Sequence, residues 1–427
     1  MAEALPAELR SAGPERIAAV WPEWVKRRDA EIRERLTHGD EDTVVNFLLF
    51  GTSFTRQPRI TSAQIKSLPA DPTAQMRAVL ERRIEDLVRG MLSSGNNERL
   101  RFARNVAESA GISFANEKEI ARVREYLLAS VTRVLKEQSG FQQTLTAARS
   151  LDATEEFVER SKVYKERGLS LDTSLLPDYA LEVALQELRN RGLLADGSVR
   201  RVGIIGPGLD FTDKQEGYDF YPTQTVQPFA IMDSLLRLGL SQPSQLNVVT
   251  LDLSARVNEH VERARRAGAA GRGYTIQLPR DPSAEWNPGA VSYWQRFGDQ
   301  IGSPIPPVAV PPALQGMAMR AVRVRPEFAR RLTALDVNIV LQREEAPADK
   351  KFDLLIATNI FVYYDTFEQS LALANVQAML RPGGFLLTNN LLLELPSSKM
   401  KAVDYSAVQY SKREADGDQI VWYRREP

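Results

Sequence analysis

Met379-Leu380-Arg381-Pro382-Gly383-Gly384-Phe385-Leu386-Leu387 is the stretch on which the reading of this chain turns. A helical pattern leads into it. Pro382 cannot continue a helix, because it has no backbone N–H and its ring crowds the preceding turn, and the two glycines that follow permit an abrupt change of direction. The run Phe385 to Thr388 is short and apolar, as a strand buried on both faces must be. About thirty residues upstream another apolar run, Phe352 to Ala357, ends near Asn359. Strand, helix, sharp turn and buried strand make one crossover unit of a parallel sheet.

The same alternation extends outward. Val202-Gly203-Ile204-Ile205 and Leu246 to Leu251 are short apolar runs, each followed by a helical pattern. Ahead of them the helix Tyr179-Ala-Leu-Glu-Val-Ala-Leu-Gln-Glu-Leu-Arg-Asn-Arg-Gly192 ends on a glycine, which adopts the left-handed conformation of a helix stop without penalty. At the C-terminal end, Ala407 to Tyr410 and Ile420 to Arg424 flank Ala415-Asp416-Gly417-Asp418, and this turn-rich connection predicts an antiparallel hairpin at the sheet edge. The pattern describes an α/β protein with a doubly wound, Rossmann-like sheet over residues 176–427.

Residues 1–175 differ in period. Between Ala74 and Gly90, Met76, Val79, Leu80, Ile84, Leu87 and Val88 recur at spacings of three and four while charged residues fill the opposite face. Glu98 to Ala110, Glu117 to Lys136 and Ala153 to Glu166 repeat the pattern, so this part is expected to be an all-helical N-terminal domain. Asp42 to Thr55 is apolar on nearly every side, which suits a buried helix ending at Gly51; an alternative places Asn46, Thr52 and Ser53 against a ligand.

Two motifs carry chemistry. Ile204-Ile205-Gly206-Pro207-Gly208-Leu209-Asp210 runs a strand into a glycine-bearing turn, and a cofactor lying across the carboxyl end of a parallel strand needs backbone with no side chain in the way. Asp252 follows Gly208 by 44 residues, at the end of the next strand. A carboxylate there can accept both ribose hydroxyls of an adenosine-containing cofactor, or can simply cap the helix that begins near Ser254. These two motifs suit a nicotinamide-dinucleotide enzyme equally well.

The helix, the Leu-Arg-Pro-Gly-Gly turn and the apolar strand that follows resemble the entry to the fifth strand of class I S-adenosylmethionine-dependent methyltransferases, whose sixth and seventh strands the terminal hairpin would supply. The resemblance covers roughly residues 200–425. It implies a seven-stranded sheet, S-adenosyl-L-methionine as cofactor, and cofactor contacts from Gly206, Gly208, Asp210, Asp252 and the adjoining Leu253. Within the class, Asn359-Ile-Phe-Val-Tyr363-Tyr364-Asp365 looks most like the chemotaxis-receptor glutamate methyltransferases. That likeness puts Asn359 beside the cofactor and Tyr363 near the transferring methyl as the catalytic candidate, and sets Asp336 in the region that borders the adenine.

The chain also departs from the class. An acidic residue usually stands two positions before the first glycine and a third glycine two after the second; here those positions are Ile204 and Asp210. Asp210, Asp213 or Glu216 is then expected to hold the methionine ammonium. Thr358 stands where the chemotaxis enzymes have arginine, which argues against receptor-glutamate methylation. Residues 279–313 contain eight prolines together with Trp286, Tyr293 and Trp294, a proline-rich insertion that reads either as a substrate-facing lid or as simple packing. Tyr218 and Tyr221, in the long segment after the glycine turn, are expected to close over the cofactor.

Composition limits the remaining classes. The 427 residues carry 55 basic and 55 acidic side chains, so nothing asks for nucleic acid or an anionic membrane as the partner. Cysteine is absent, and His38 and His260, both read as surface residues, are too few for a nitrogen-rich metal site or a hydrolase triad. No metal is expected. There is neither a signal-like apolar segment nor a membrane span, and the chain reads as cytoplasmic. The expected activity is methyl transfer to a small molecule or a protein side chain, with Tyr363, Tyr364 or Asp365 as base or orienter. The alternative is a non-catalytic protein that binds S-adenosylmethionine or acts as an interaction partner on the same scaffold.

Overall fold

The computed structural model describes residues 5–60, 74–148, 168–212, 218–413 and 416–427. The expected helix Ala153 to Glu166 and the candidates Asp213 and Glu216 lie outside them. Seven strands form the main sheet: β1 (Arg201–Ile205), β2 (Asn247–Asp252), β6 (Leu332–Asp336), β7 (Phe352–Ala357), β8 (Leu380–Thr388), β9 (Met400–Gln409) and β10 (Gly417–Arg425). Their order is β6-β2-β1-β7-β8-β10-β9. Every pairing from β6 to β8 is parallel, and β10 runs antiparallel to both β8 and β9. This is the seven-stranded, doubly wound sheet that the resemblance implies. Its chain order reverses between β1 and β7, where a crevice opens at the carboxyl ends of the strands.

Alternation along the strands sends side chains into two cores. Val202, Ile204, Leu354 and Ile356 pack with the helices Leu175–Asn190 and Gln227–Arg237. Ile205, Leu355 and Ala357 pack on the other face with the helix Thr366–Met379. The Arg-Pro-Gly-Gly turn proves to be part of β8: Phe352 pairs with Leu380 and Leu354 with Phe385, so the turn is taken up as a bulge, with Gly383 at φ +78°. The terminal hairpin forms as expected, with β9 starting seven residues earlier, at Met400.

Residues 279–313, which the sequence reads as a substrate-facing lid or as simple packing, fall within a second sheet of β3 (Tyr274–Arg280), β4 (Gly302–Ile305) and β5 (Ala318–Val324), in the order β3-β5-β4, and the packing alternative holds for their aromatic residues. Tyr293 and Trp294 are buried in its packing, and the Trp294 indole N–H donates to the Leu278 carbonyl at 3.1 Å. His260, expected at the surface, is buried on the helix Ala255–Ala269 with Nε2 2.9 Å from the Tyr274 hydroxyl. Burial, reinforced by Arg263, pushes its pKa down to about 4. A folded-state pKa below the unfolded value gives stability that is present above about pH 6.5 and lost as pH falls towards 4, at most ~3 kcal/mol. A His260→Gln variant is therefore expected to lose less stability than the parent between pH 6.5 and 4 in urea titrations. Parallel losses would refute this.

The N-terminal helices, Pro14–Phe50, Ala74–Leu92, Glu98–Ser109 and Glu117–Ala148, enclose a core of their own, into which Phe211 from the loop after β1 inserts. The buried segment that stops at Gly51 is the end of one 37-residue helix. At ~1.5 Å per residue it is about 55 Å long, enough to cross the whole carboxyl edge of the sheet. Among the described residues no helix is long and apolar enough to cross a membrane.

Candidate functional site

A cleft of about 490 Å³ opens at the carboxyl ends of β1, β2, β6 and β7. Its floor is the glycine turn. Gly206 and Gly208 have φ of +64° and +63°, conformations in which a side chain is strained. A Cβ on Gly206 would lie 2.2 Å from the Ile360 Cδ1, and one on Gly208 would lie 2.5 Å from the Leu171 carbonyl oxygen. The backbone therefore turns tightly beneath the cleft, as the sequence suggests.

Asp252, at the tip of β2, lines the cleft and is 5% exposed. Its Oδ1 accepts from the Ser254 N–H at 2.8 Å, while its Oδ2 has no hydrogen-bond partner. Ser254, not Asp252, caps the following helix, accepting from the Val257 N–H through its hydroxyl. The capping alternative is thereby removed, and a residue that lines the cleft keeps one buried acceptor without a partner. Burial, with a smaller push from Asp336, raises the Asp252 pKa to about 7, against the opposing pull of the Ser254 N–H, Arg256 and the Gly208 N–H. Leu253 continues the wall, joined by Val337 and Ile339 from the loop after β6.

The loop after β7 supplies the opposite wall with Ile360, Tyr363 and Tyr364. Asn359, at φ +57°, is the one non-glycine residue among those described with a positive φ, and asparagine tolerates that conformation better than most residues. It is exposed and exchanges hydrogen bonds with Asn389 at the end of β8, its N–H donating at 2.7 Å and its Oδ1 accepting at 2.5 Å. It thus shapes the turn from outside the cleft lining. Asp365 caps the helix Thr366–Met379 in a reciprocal capping box with Glu368, which occupies it structurally. Burial raises the Tyr364 hydroxyl pKa, which weakens it further as a base at neutral pH. Of the three candidate bases, Tyr363 and Tyr364 are in the cleft.

Two expected contacts fall elsewhere. Asp336 pairs in register with Asp252, but its exposed carboxylate binds Arg33 of the long helix at 2.8 and 3.3 Å. Asp210 is buried in a neighbouring cavity, where it accepts from the Tyr221 hydroxyl and the Gln224 amide. Tyr221 therefore bonds Asp210 and lines that second cavity, and Tyr218 packs against Arg59 at 5.3 Å; neither lines the first cleft. Thr52 and Ser53 do not face the cleft either: both donate to Asp219, and the Asn46 amide donates to Asp172.

The sequence reading missed the roof. The long N-terminal helix lies across the strand ends, lines the cleft with Leu36 and fastens to two site loops: the Arg35 guanidinium donates to the Tyr363 carbonyl at 2.9 Å, and Asp29 accepts from the Asn338 amide at 2.7 Å. Residues 168–171 run between this helix and the glycine turn. Leu169 N–H donates to the Arg35 carbonyl and Leu209 N–H to the Leu171 carbonyl, at 3.1 and 2.7 Å. Gly39 and Gly168 allow that approach, since a Cβ on Gly39 would sit 1.9 Å from the Leu169 carbonyl oxygen. Among the described residues no cluster of three or more metal-ligating side chains is present.

No protein-family model matches the chain, and no curated protein matches it by sequence. Among solved structures it is similar to the N-methyltransferase NodS from Bradyrhizobium japonicum WM9, at 14% identity over 59% of this chain and 99% of that one, with a TM-score of 0.29. It is also similar to the CurJ carbon methyltransferase, at 12% identity over 97% and 98% of the two chains and a TM-score of 0.28. A third is the magnesium protoporphyrin IX methyltransferase of Synechocystis PCC 6803 with bound SAM, at 9% identity over 65% and 85%, with a TM-score of 0.28. Likenesses this distant leave the function to be argued from the cleft.

Proposed function

We propose that the cleft binds S-adenosyl-L-methionine and that the protein transfers its methyl group to an acceptor, a small molecule or a protein side chain. One observation carries the reading: Asp252, whose buried Oδ2 has no hydrogen-bond partner, lines a cleft at the point where the strand order reverses. A ribose diol supplies the donors that this carboxylate lacks. Gly206 and Gly208 would admit the amino-acid end, and Leu253, Val337 and Ile339 make an apolar slot suited to a flat base. When bound, the cofactor supplies an electrophilic methyl on a sulfonium.

The chain's own part is positioning. The Arg35 bond to the Tyr363 carbonyl holds the Tyr363–Tyr364 turn at the wall, and the segment 168–171 closes the cleft from above and limits water. No histidine lines the cleft, and the acid nearest the tyrosines is committed to a helix cap. An acceptor that needs no base, or that brings its own, fits this arrangement best. The local likeness to the chemotaxis-receptor enzymes carries over to Tyr363 and no further, because Thr358 accepts from Gln227 inside the fold where those enzymes have arginine.

Calorimetric titration with S-adenosylmethionine, S-adenosylhomocysteine and NAD tests the reading. Saturable binding of the first two and none of the third is expected. Binding of NAD alone, or of nothing by folded protein, would sink it. The linkage sign follows from the raised pKa of Asp252, about 7. The ribose hydroxyls bind the carboxylate form, so a proton must leave whenever the pH is below that value. Affinity is expected to rise roughly tenfold per pH unit up to about 7 and to level above it. A flat profile between pH 5.5 and 7 would contradict the role given to Asp252.

A further inference from the structure

Asp178 stands in the first turn of the helix Leu175–Asn190 and is 1% exposed, and neither of its carboxylate oxygens has a hydrogen-bond partner. Gln227, which opens the helix Gln227–Arg237, is buried to the same degree. Its Nε2 donates to the Thr358 hydroxyl at 3.0 Å, and its Oε1 is left as another buried acceptor without a partner. The Gln227 side chain acts on the ionisation of Asp178, so the two groups are neighbours between helices that share one core.

Two buried acceptors side by side cannot satisfy each other. A proton on Asp178 resolves the conflict, because the carboxylic acid donates to the amide oxygen and each group gains a partner. Burial keeps that proton in place: it pushes the Asp178 pKa up to about 8, with Gln227 opposing. The other titratable groups around Asp178 are neutral or already matched. Tyr293, from the helix Pro288–Arg296, and Tyr410, just past β9, are held well above the usual tyrosine range, by burial first and by the Asp178 charge among the further causes. Glu182, one turn along the same helix, pairs with Arg296 and Arg237, Asp233 with Arg237, and Asp418 accepts from the Tyr410 hydroxyl at 2.6 Å.

Thr358 is where this chain of groups meets the cleft. It follows β7 directly and precedes Asn359, with its positive φ, and Ile360, which packs on Gly206 in the cleft floor. We infer that Asp178 is a positioning residue for the cofactor site: as the neutral acid it donates to Gln227 Oε1 and thereby fixes, through the Gln227–Thr358 bond, the turn that carries Ile360 and Tyr363. The inference rests on the methyltransferase reading for what the turn holds, while the chain from Asp178 to Thr358 stands without it.

The test titrates the full chain with S-adenosylhomocysteine at pH 7, 8 and 9.5, comparing the parent with Asp178→Asn and Asp178→Leu. Asparagine keeps a donor for Gln227 at every pH, and leucine has none. Asp252 sets no slope above about pH 7, and the ratio of parent to Asp178→Asn cancels the titration of the ligand's own amino group. That ratio is expected to fall at least fivefold between pH 8 and 9.5 as Asp178 ionises. Asp178→Leu is expected to bind at least fivefold more weakly than Asp178→Asn at pH 7. A constant ratio, or a leucine variant that binds as tightly as the asparagine one, overturns the inference.

Melting reads the acid separately. A carboxyl raised from 3.8 to about 8 on folding contributes stability that is present below about pH 4 and is lost as the pH rises towards 8. The parent should therefore lose melting temperature relative to Asp178→Asn between pH 5 and 8, and a constant difference overturns the inference. Should Asp178→Leu fail to fold, the comparison of parent and Asp178→Asn still decides. Folded parent that binds no S-adenosylhomocysteine at any pH refutes the methyltransferase reading. Melting of Asp178→Asn, Thr358→Val and the double variant then decides the chain: a double variant that deviates from the sum of the single shifts supports it, and additive shifts overturn it.

Discussion

Asp252→Asn is expected to weaken S-adenosylhomocysteine binding by about two orders of magnitude while leaving the fold as stable as the parent, or more stable. The two effects have one origin. A carboxylate at 5% exposure with one oxygen unpartnered is unfavourable to the empty protein, and its pKa, raised by burial, records that penalty. Replacing it by a neutral amide of the same shape relieves the penalty. The amide also gives up the charge-assisted bonds to a ribose diol, at ~1.5–3 kcal/mol each. Loss of two such bonds, partly compensated by the remaining amide oxygen, corresponds to roughly a hundredfold in affinity. Calorimetry and thermal melting on one preparation read both effects. A variant that binds normally removes Asp252 from the site, and one that melts well below the parent makes the residue structural.

The second large effect is expected far from the cleft. Asp219, 2% exposed, accepts four hydrogen bonds: from the Thr52 N–H at 2.8 Å and hydroxyl at 2.7 Å on one oxygen, and from the Ser53 N–H at 3.0 Å and hydroxyl at 2.6 Å on the other. The donors sit just past the end of the long N-terminal helix, and the acceptor belongs to the loop after β1, so one carboxylate ties the helical part to the glycine-turn loop. Asp219→Ala leaves two N–H groups and two hydroxyls, all partly shielded from water, without their acceptor, and a loss of roughly 3 kcal/mol is expected. Urea unfolding followed by tryptophan fluorescence and by far-UV circular dichroism checks it. The two probes should separate as the helical part detaches first. A shift under about 1 kcal/mol with coincident transitions would show that the apolar contacts around Phe211 suffice to hold the two parts together.

These two residues also mark how much of the protein can be read from its sequence. Asp252 was legible, because a carboxylate at the end of the strand that follows a glycine turn has a chemical reason to be there wherever the strands are parallel. Asp219 was not. Its partners are 166 and 167 residues away, and a single sequence carries no signal for a contact at that separation. The same distinction explains Asp210 and Asp336. Both stand where an acid suits an adenosine cofactor, but the direction of a side chain depends on what packs beside it, and here Tyr221 and Arg33 draw them away from the cleft.

By itself the sequence determined six of the seven strands of the main sheet, all but β6. Apolar runs at crossover spacing, a glycine turn after β1 and a Pro-Gly-Gly bulge at the start of β8 are local features, set by backbone sterics and by the need to bury both faces of a parallel sheet. Only the tertiary structure decided what covers the site. The proline-rich stretch was drawn into a packed three-stranded sheet because β5, which lies beyond it, pairs with both β3 and β4, and β5 carries too little alternation to announce itself as a strand. The 37-residue helix became the roof of the cleft because its arginines and Asp29 meet groups exposed at the ends of β6 and β7, groups that exist as a surface only once the sheet has formed.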